Sequence, residues 1–256
     1  MALRVRRLTE RRPWTFLVGA GILKPLLIAV SSRTWVDGQK IPVSGGCLVV
    51  VNHISHLDPL TTAHFVYDHG RLPRYLAKSG LFTNRVLSGF LRAAGQIPVE
   101  RLTSHAIGAY DAAVEAVRAG ECVVIYPEGT LTRDPALWPM SGKSGAARIA
   151  LATGCPVIPV GHWGAQQILP PYAVVPDLFP RKHITLRAGD PVALDDLLAV
   201  EPTPEVVAAT TSRIMSALTA IVAELRGETP PTERFDGRSS GLHQIGNPYR
   251  KQKRST

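Results

Sequence analysis

The feature that most constrains the fold is a series of short, mostly apolar runs separated by longer segments with helical spacing. The runs that predict strands are residues 47–51, 74–78, 95–99, 122–127, 156–161 and 183–189. The segments that predict helices are residues 59–68, 81–93, 104–118 and 142–153. Apolar strands that alternate with helices are typical of a parallel sheet buried on both faces. The sequence therefore predicts an α/β fold with a largely parallel central sheet covered by helices.

The N-terminal segment, residues 1–40, combines basic and apolar character. Arginines at positions 4, 6, 7, 11 and 12 precede an apolar run over residues 16–30, which Lys24 and Pro25 interrupt. A helix that spans a bilayer needs about 20 apolar residues, so this run predicts short helices in the membrane interface, with arginines facing anionic headgroups. The alternatives are an apolar helix packed on the protein's own core and a secretory signal, which the interrupted run disfavours.

The remaining chain divides into a predicted α/β domain over residues 41–226 and a tail over residues 227–256. The domain closes with an amphipathic helix predicted over residues 203–227. The tail is rich in Pro, Gly, Ser and charge, which predicts a flexible basic segment. The odd number of cysteines, three in all, predicts buried free thiols instead of a disulfide framework.

The charge balance favours anionic partners. The chain has 29 Lys and Arg against 20 Asp and Glu, a net charge of +9. Anionic lipid, a phosphorylated substrate and nucleic acid all fit that charge. No nucleic acid partner is expected, because the chain has 6% aromatic residues and lacks helix-turn-helix or zinc-finger spacing.

The stretch "NHISHLD" follows the first predicted strand directly. His53 and Asp58 are close enough in sequence to meet across a turn, so Asp58 could fix the tautomer of His53 and leave its other nitrogen as a base. An Asp before Pro59 is also a common helix N-cap, and the two roles are compatible. His53, His56 and Asp58 could instead ligate a metal, but one turn with no second cluster is a weak case, and no metal is expected.

Two further polar clusters follow predicted strands, where ligands bind in parallel sheets. Arg101 ends "GQIPVER", and its forked guanidinium suits a phosphate. The stretch "YPEGTLTRD" offers a carboxylate, a permissive glycine and further donors. We predict acceptor binding by Glu128, Gly129 and Thr130, and phosphate binding by Arg133 and by Lys143, which precedes a helix. Each cluster could also be a surface turn or ion pair.

Taken together, these segments resemble the lysophospholipid and glycerol-phosphate acyltransferase family, best known from bacterial lysophosphatidic acid acyltransferase. "NHISHLD" matches the family's His-x4-Asp block, "GQIPVER" its phosphate-binding Arg block, "YPEGT" its third block and "CPVIPVG" its fourth. The resemblance covers residues 45–190 and places an acyl site near Pro159. It departs from the family where Leu131 follows "PEGT" and where Glu100 precedes Arg101. These two differences leave the identity of the acceptor substrate undecided.

The resemblance implies an O-acyltransferase in which His53 removes a proton from the hydroxyl of lysophosphatidic acid. The alkoxide attacks acyl-CoA or acyl-carrier protein, giving phosphatidic acid without a cofactor. It implies a peripheral or monotopic protein on the cytoplasmic face of the cell membrane, with an anionic membrane surface, a lysophospholipid and an acyl thioester as partners. Glycerol 3-phosphate, a glycolipid acceptor and a non-catalytic lipid-binding role remain alternatives.

Overall fold

The structure, a computed structural model, describes residues 5–8, 10–99 and 106–237. Seven strands form one sheet: β1 (Ser31–Val36), β2 (Cys47–Val51), β3 (Pro73–Lys78), β4 (Ile97–Val99), β5 (Cys122–Ile125), β6 (Val157–Trp163) and β7 (Lys182–Ala188). Each of the six predicted strands is present, and β1 is an addition.

The α-helices of the described residues lie before, between and after these strands. They are α1 (Trp14–Val30), α2 (Asp58–Asp68), α3 (Arg85–Ala93), α4 (Ala106–Arg118), α5 (Gly145–Thr153), α6 (Ala165–Ile168), α7 (Asp195–Leu198) and α8 (Pro204–Arg226). The helix predicted over residues 81–93 starts later, because Asn84 accepts hydrogen bonds from the backbone N–H groups of Val86 and Leu87 and caps α3. The predicted cap at Ser104 lies outside the described residues.

The strand order is β1-β7-β6-β2-β5-β3-β4. All neighbouring pairs are parallel except β6 and β7, which are antiparallel. The prediction of a largely parallel sheet is therefore confirmed. Since β2, β5 and β6 are adjacent and parallel, the chain leaves all three at the same edge of the sheet.

Successive residues of the central strands alternate between two cores. Leu48 and Val50 of β2 pack in a core with α4, α5 and α8. Val49 and Val51 pack in a second core with α2 and α6 on the opposite face. This alternation explains why the strands are apolar throughout, since both faces are covered.

Helix α1 is held to the protein by one side and exposed on the others. Only Thr15 and Leu27 of this helix are buried. Lys24 reaches inward, and its ammonium lies 2.5 Å from the buried carboxylate of Asp68. The large apolar side chains that remain exposed on α1 are Trp14, Leu17, Val18, Ile22, Leu23, Leu26 and Ile28. The helix is thus docked on the α/β domain without being part of its core.

The domain boundary predicted at residue 41 lies too late in the chain. Strand β1 falls within the segment 1–40, yet it pairs in parallel with β7 from Ser31 to Val36. Strand β1 forms an edge of the sheet, where polar side chains are tolerated. Its sequence, SSRTWV, therefore lacks the apolar pattern that predicts a buried strand.

The first part of the predicted tail packs on the domain. The backbone N–H of Ser141 donates to the carbonyl of Phe235 at 3.0 Å, and Arg234 donates to the hydroxyl of Ser216. Residues 228–237 therefore do not form the flexible segment that composition predicts, while residues 238–256 lie outside the described part of the chain.

Helix α8 is, among the described residues, the one helix long and apolar enough to cross a membrane by length and composition. Its buried residues, including Ile214 and Leu218, face the domain. The three cysteines, Cys47, Cys122 and Cys155, are buried free thiols, as predicted.

Candidate active site

The candidate site lies where the three adjacent strands β2, β5 and β6 end. Asn52 and His53 follow β2, Tyr126 and Glu128 follow β5, and His162 is the penultimate residue of β6. The carboxyl edge of a parallel sheet is the usual place for a ligand, because the following loops converge there. The sheet thus gathers residues that are far apart in sequence.

His53 and Asp58 form a hydrogen-bonded pair. Nδ1 of His53 lies 2.9 Å from Oδ2 of Asp58. An ionised carboxylate can only accept, so the hydrogen must be on Nδ1, and Nε2 of the neutral ring is left to accept a proton. The His53 side chain is 16% exposed, which leaves the ring accessible from the surface.

Asp58 is fully buried, yet it stays ionised. Burial by itself raises the pKa of its carboxyl, but the nearby His162 and His53 outweigh that effect and lower the pKa to about 2. Oδ2 also accepts the backbone N–H groups of Ile54 at 2.6 Å and Ser55 at 2.8 Å. Asp58 is therefore an anion at neutral pH and can orient His53 throughout the neutral range.

The predicted N-cap role of Asp58 is wrong. Asp58 is the first residue of α2 and Leu57 occupies the cap position, with no side-chain capping bond. The carboxylate turns back toward the preceding turn, where the N–H groups of Ile54 and Ser55 bind it. The negative charge of Asp58 therefore stabilises the turn before α2 and does not cap the first turn of the helix.

His53 is fixed from three sides besides Asp58. Its backbone N–H donates to Oε1 of Glu128 at 3.0 Å, and its carbonyl accepts from the N–H of Thr132 at 2.7 Å. Its ring stacks on Tyr126, with the centroids 4.3 Å apart. The loop after β5 therefore holds the residue that follows β2.

Glu128 is buried and links His53 to the rest of the loop. Its Oε2 accepts the backbone N–H of Met140 at 3.0 Å. Burial raises the pKa of Glu128 to about 8, although its bonds to the Met140 and His53 N–H groups lower it. Glu128 therefore keeps its proton to a higher pH than an exposed glutamate does.

Beside Glu128 lies a cleft of about 130 Å³ that we call the anion cleft, lined by Glu128, Thr130, Arg133, Met140, Ser141, Gly142, Lys143, Asp236 and Gly237. Its volume is well below that of pockets for drug-sized ligands, so it suits a small polar group. Asp236 and Gly237 belong to the packed part of the tail, which forms one wall.

Arg133 brings a buried guanidinium with two unpaired nitrogens to the anion cleft. The residue is 3% exposed, and within the described residues its Nε and Nη2 have no hydrogen-bond partner. Lys143 lies across Gly129: a Cβ added at Gly129 would be 3.0 Å from Cδ, Cε and Nζ of Lys143. Gly129 has φ +71°, so a side chain there would be strained as well as crowded.

Two other predicted site residues are not part of this cluster in the described structure. Arg101 lies outside the described residues, so its phosphate role stays a prediction. Pro159 lies within β6, opposite Val50 of β2, and its carbonyl accepts the N–H of Gly189. His56 is exposed.

Sequence reasoning missed His162 and gave no role to Asn52 or Tyr126. Nδ1 of His162 lies 3.2 Å from Oδ1 of Asp58, and Asn52 exchanges two hydrogen bonds with the His162 backbone. The available signal was position, because each of the three is a polar or aromatic residue at the end of an apolar strand.

Comparison with known proteins identifies the family of this chain. The Acyltransferase family model matches residues 33–163, about half of the chain. The chain is 32% identical over 141 residues to a chloroplastic 1-acyl-sn-glycerol-3-phosphate acyltransferase of Brassica napus, covering 54% of this chain and 39% of that protein. It is 26% identical over 198 residues to the 1-acyl-sn-glycerol-3-phosphate acyltransferase of Bacillus subtilis, covering 76% of this chain and 90% of that protein.

A solved structure shares the fold. The crystal structure of the 1-acyl-sn-glycerophosphate (LPA) acyltransferase from Thermotoga maritima matches with a TM-score of 0.61 and 20% identity, over 87% of this chain and 86% of that one. The family model spans both His53 and Asp58, and it ends at the residue after His162. This chain belongs to the acyltransferase family.

Proposed function

We propose that the protein is a 1-acylglycerol-3-phosphate O-acyltransferase that makes phosphatidic acid from lysophosphatidic acid. The observation that carries the proposal is that one residue, Glu128, both accepts the backbone N–H of His53 and lines the anion cleft that contains Arg133. A base fixed by Asp58 thus stands next to a cationic cleft, as an acceptor with both a hydroxyl and a phosphate requires.

The chemistry follows from the state of His53. Its Nε2 takes the proton of the acceptor hydroxyl while the oxygen attacks the thioester carbonyl of acyl-CoA or acyl-carrier protein. The new C–O bond forms, the C–S bond breaks, and the proton passes from His53 to the leaving thiolate. Asp58 stabilises the imidazolium that exists between these steps. The reaction needs no cofactor and no acyl-enzyme.

The anion cleft is assigned to the acceptor phosphate. Buried guanidinium nitrogens without a partner are costly, and a phosphate would supply Nε and Nη2 of Arg133 with charge-assisted hydrogen bonds. Lys143 adds a second positive charge, so the two cations of the cleft stand against the carboxylate of Asp236. Arg101 keeps its predicted role as a further phosphate ligand.

Helix α1 is proposed to dock the enzyme on the cytoplasmic face of the cell membrane. Its inward side is fixed by the ion pair between Lys24 and Asp68, whereas Leu17, Ile22 and Leu26 are 54%, 63% and 57% exposed. Exposed apolar side chains next to Arg11 and Arg12 are the combination that binds an anionic membrane interface. The acceptor and the product both reside in such a membrane.

An acceptor panel tests the proposed function. The purified protein is given labelled acyl-CoA or acyl-carrier protein together with lysophosphatidic acid, glycerol 3-phosphate or a glycolipid without phosphate. We expect kcat/KM to be highest for lysophosphatidic acid, with labelled phosphatidic acid as the product. Preference for the glycolipid would contradict the phosphate assignment, and lipid binding without acyl transfer would support the non-catalytic alternative.

Replacing Arg133 tests the anion cleft. Arg133→Met keeps the aliphatic packing but removes the charge, so the KM for lysophosphatidic acid should rise about tenfold or more, as expected for the loss of a charge-assisted hydrogen bond. The KM for the acyl donor should change less than about twofold.

The matched control for that variant is Arg148→Met, an arginine on the exposed side of α5, which should leave both KM values unchanged. An Arg133→Met protein with the wild-type melting temperature and wild-type acceptor KM would remove Arg133 from the acceptor site.

Replacing exposed apolar residues of α1 tests membrane docking. Leu17→Glu with Ile22→Glu should lower the partition onto phosphatidylglycerol vesicles about tenfold or more, since burial of each side chain contributes roughly 1.5–3 kcal/mol. The control is Val200→Glu, because Val200 is also an exposed apolar residue. It lies between α7 and α8, and these helices pack on the face of the sheet opposite to α2. Undiminished vesicle binding by the α1 variant would contradict the proposed surface.

A further inference from the structure

Asp58 contacts a second histidine that the proposed chemistry does not use. His162 is completely buried, and its Nδ1 lies 3.2 Å from Oδ1 of Asp58. The other carboxylate oxygen, Oδ2, is the one that accepts from His53. The carboxylate therefore lies between two imidazole rings, one partly exposed and one buried.

The hydrogen positions around His162 follow from its neighbours. Its Nε2 lies 3.2 Å from the hydroxyl oxygen of Thr61, which can also donate to the carbonyls of Asp58 at 3.1 Å or Leu57 at 3.3 Å. The Thr61 hydroxyl can donate to Nε2 of a neutral His162 with its hydrogen on Nδ1, or accept from Nε2 of an imidazolium. Among the described residues neither Nδ1 of His162 nor Oδ1 of Asp58 has a partner with full hydrogen-bond geometry, so their 3.2 Å separation is an ion-pair contact. A neutral ring with its hydrogen on Nε2 is disfavoured, because it would turn the lone pair of Nδ1 toward the anionic carboxylate.

The backbone of His162 is fixed as firmly as its ring. The Asn52 amide donates to the His162 carbonyl at 2.9 Å and accepts the His162 N–H at 2.8 Å. Asn52 immediately precedes His53, so this pair of bonds joins the ends of β2 and β6. The separation between the two histidines is thereby set by neighbouring strands of the sheet.

We propose that His162 is a positioning residue: by holding Oδ1 of Asp58 it fixes the plane of the carboxylate, so that Oδ2 points at Nδ1 of His53. This inference rests on the proposed function of His53 as the base. Without the imidazole against Oδ1, the carboxylate could rotate and change its hydrogen bonds to Ile54, Ser55 and His53. His53 would then lose the bond that selects its tautomer.

The proposal predicts both a rate effect and a change in pH dependence. In His162→Leu, kcat should fall roughly tenfold or more, as misplacement of a catalytic group predicts, while both KM values stay within about twofold. The acid limb of the pH profile of kcat should move to lower pH, because His53 loses part of its bond to the anionic carboxylate, which favours the protonated ring. The other titratable groups that face Asp58, namely His56, Tyr75, Tyr126 and Glu128, are unchanged in this variant.

His162→Asn is the rescue variant, because its side-chain amide can donate from nearly the position of Nδ1. Its kcat should stay within about threefold of wild type. His64→Leu is the matched control: His64 is also a buried histidine beside a carboxylate, with its Nε2 3.1 Å from Asp68. This control should leave kcat and the acid limb unchanged.

A second readout does not depend on turnover. In ¹⁵N NMR spectra of histidine-labelled protein above neutral pH, His53 should be the Nδ1–H tautomer in wild type and a mixture of tautomers in His162→Leu. If His162→Leu does not fold, Thr61→Val, which removes the partner of Nε2, should shift the acid limb in the same direction.

Three outcomes would overturn the proposal: a wild-type kcat, acid limb and tautomer in folded His162→Leu or Thr61→Val; a His162→Asn protein as slow as His162→Leu; or an equal loss in His64→Leu. Absence of acyl transfer by the wild-type protein would instead refute the proposed function, and the tautomer measurement would still decide the role of His162.

Discussion

The site depends on a single buried carboxylate. Asp58 accepts hydrogen bonds from the N–H groups of Ile54 and Ser55 and contacts the rings of His53 and His162. Burial of an isolated anion would be prohibitive, so these donors are what keep Asp58 charged inside the protein. The same donors restrict its direction. The turn after β2 is folded around Asp58, and the orientation of His53 is a consequence of that folding.

The parallel sheet makes this arrangement possible. Because β2, β5 and β6 are neighbours that end at one edge, the loop after each contributes a different part: His53 as the proposed base, Glu128 as the link to the anion cleft, and His162 as the inferred support for Asp58. Residues on rigid strand ends hold such geometry better than residues on long loops. Helix α1 and the packed part of the tail add surfaces to this scaffold without entering its core.

Much of the fold could be predicted because the central strands are apolar on both faces, a pattern that few other structures produce. Strand β1 could not, since an edge strand keeps polar residues. The direction of the Asp58 carboxylate was also beyond prediction: Asp before Pro59 favours a helix cap, but the N–H groups of the preceding turn compete for the same oxygen. His162 is more than a hundred residues from His53 in sequence, and only the pairing of β2 with β6 brings them together.

The central claim, that His53 oriented by Asp58 is the base of acyl transfer, is tested most directly by the turnover of His53→Gln, with His56→Gln as a control from the same turn. We expect His53→Gln to keep the wild-type melting temperature and both KM values within about threefold, while kcat falls about 10²–10⁴-fold. His56→Gln should retain wild-type turnover, because His56 is exposed. A folded His53→Gln protein with wild-type kcat would show that His53 is not the base.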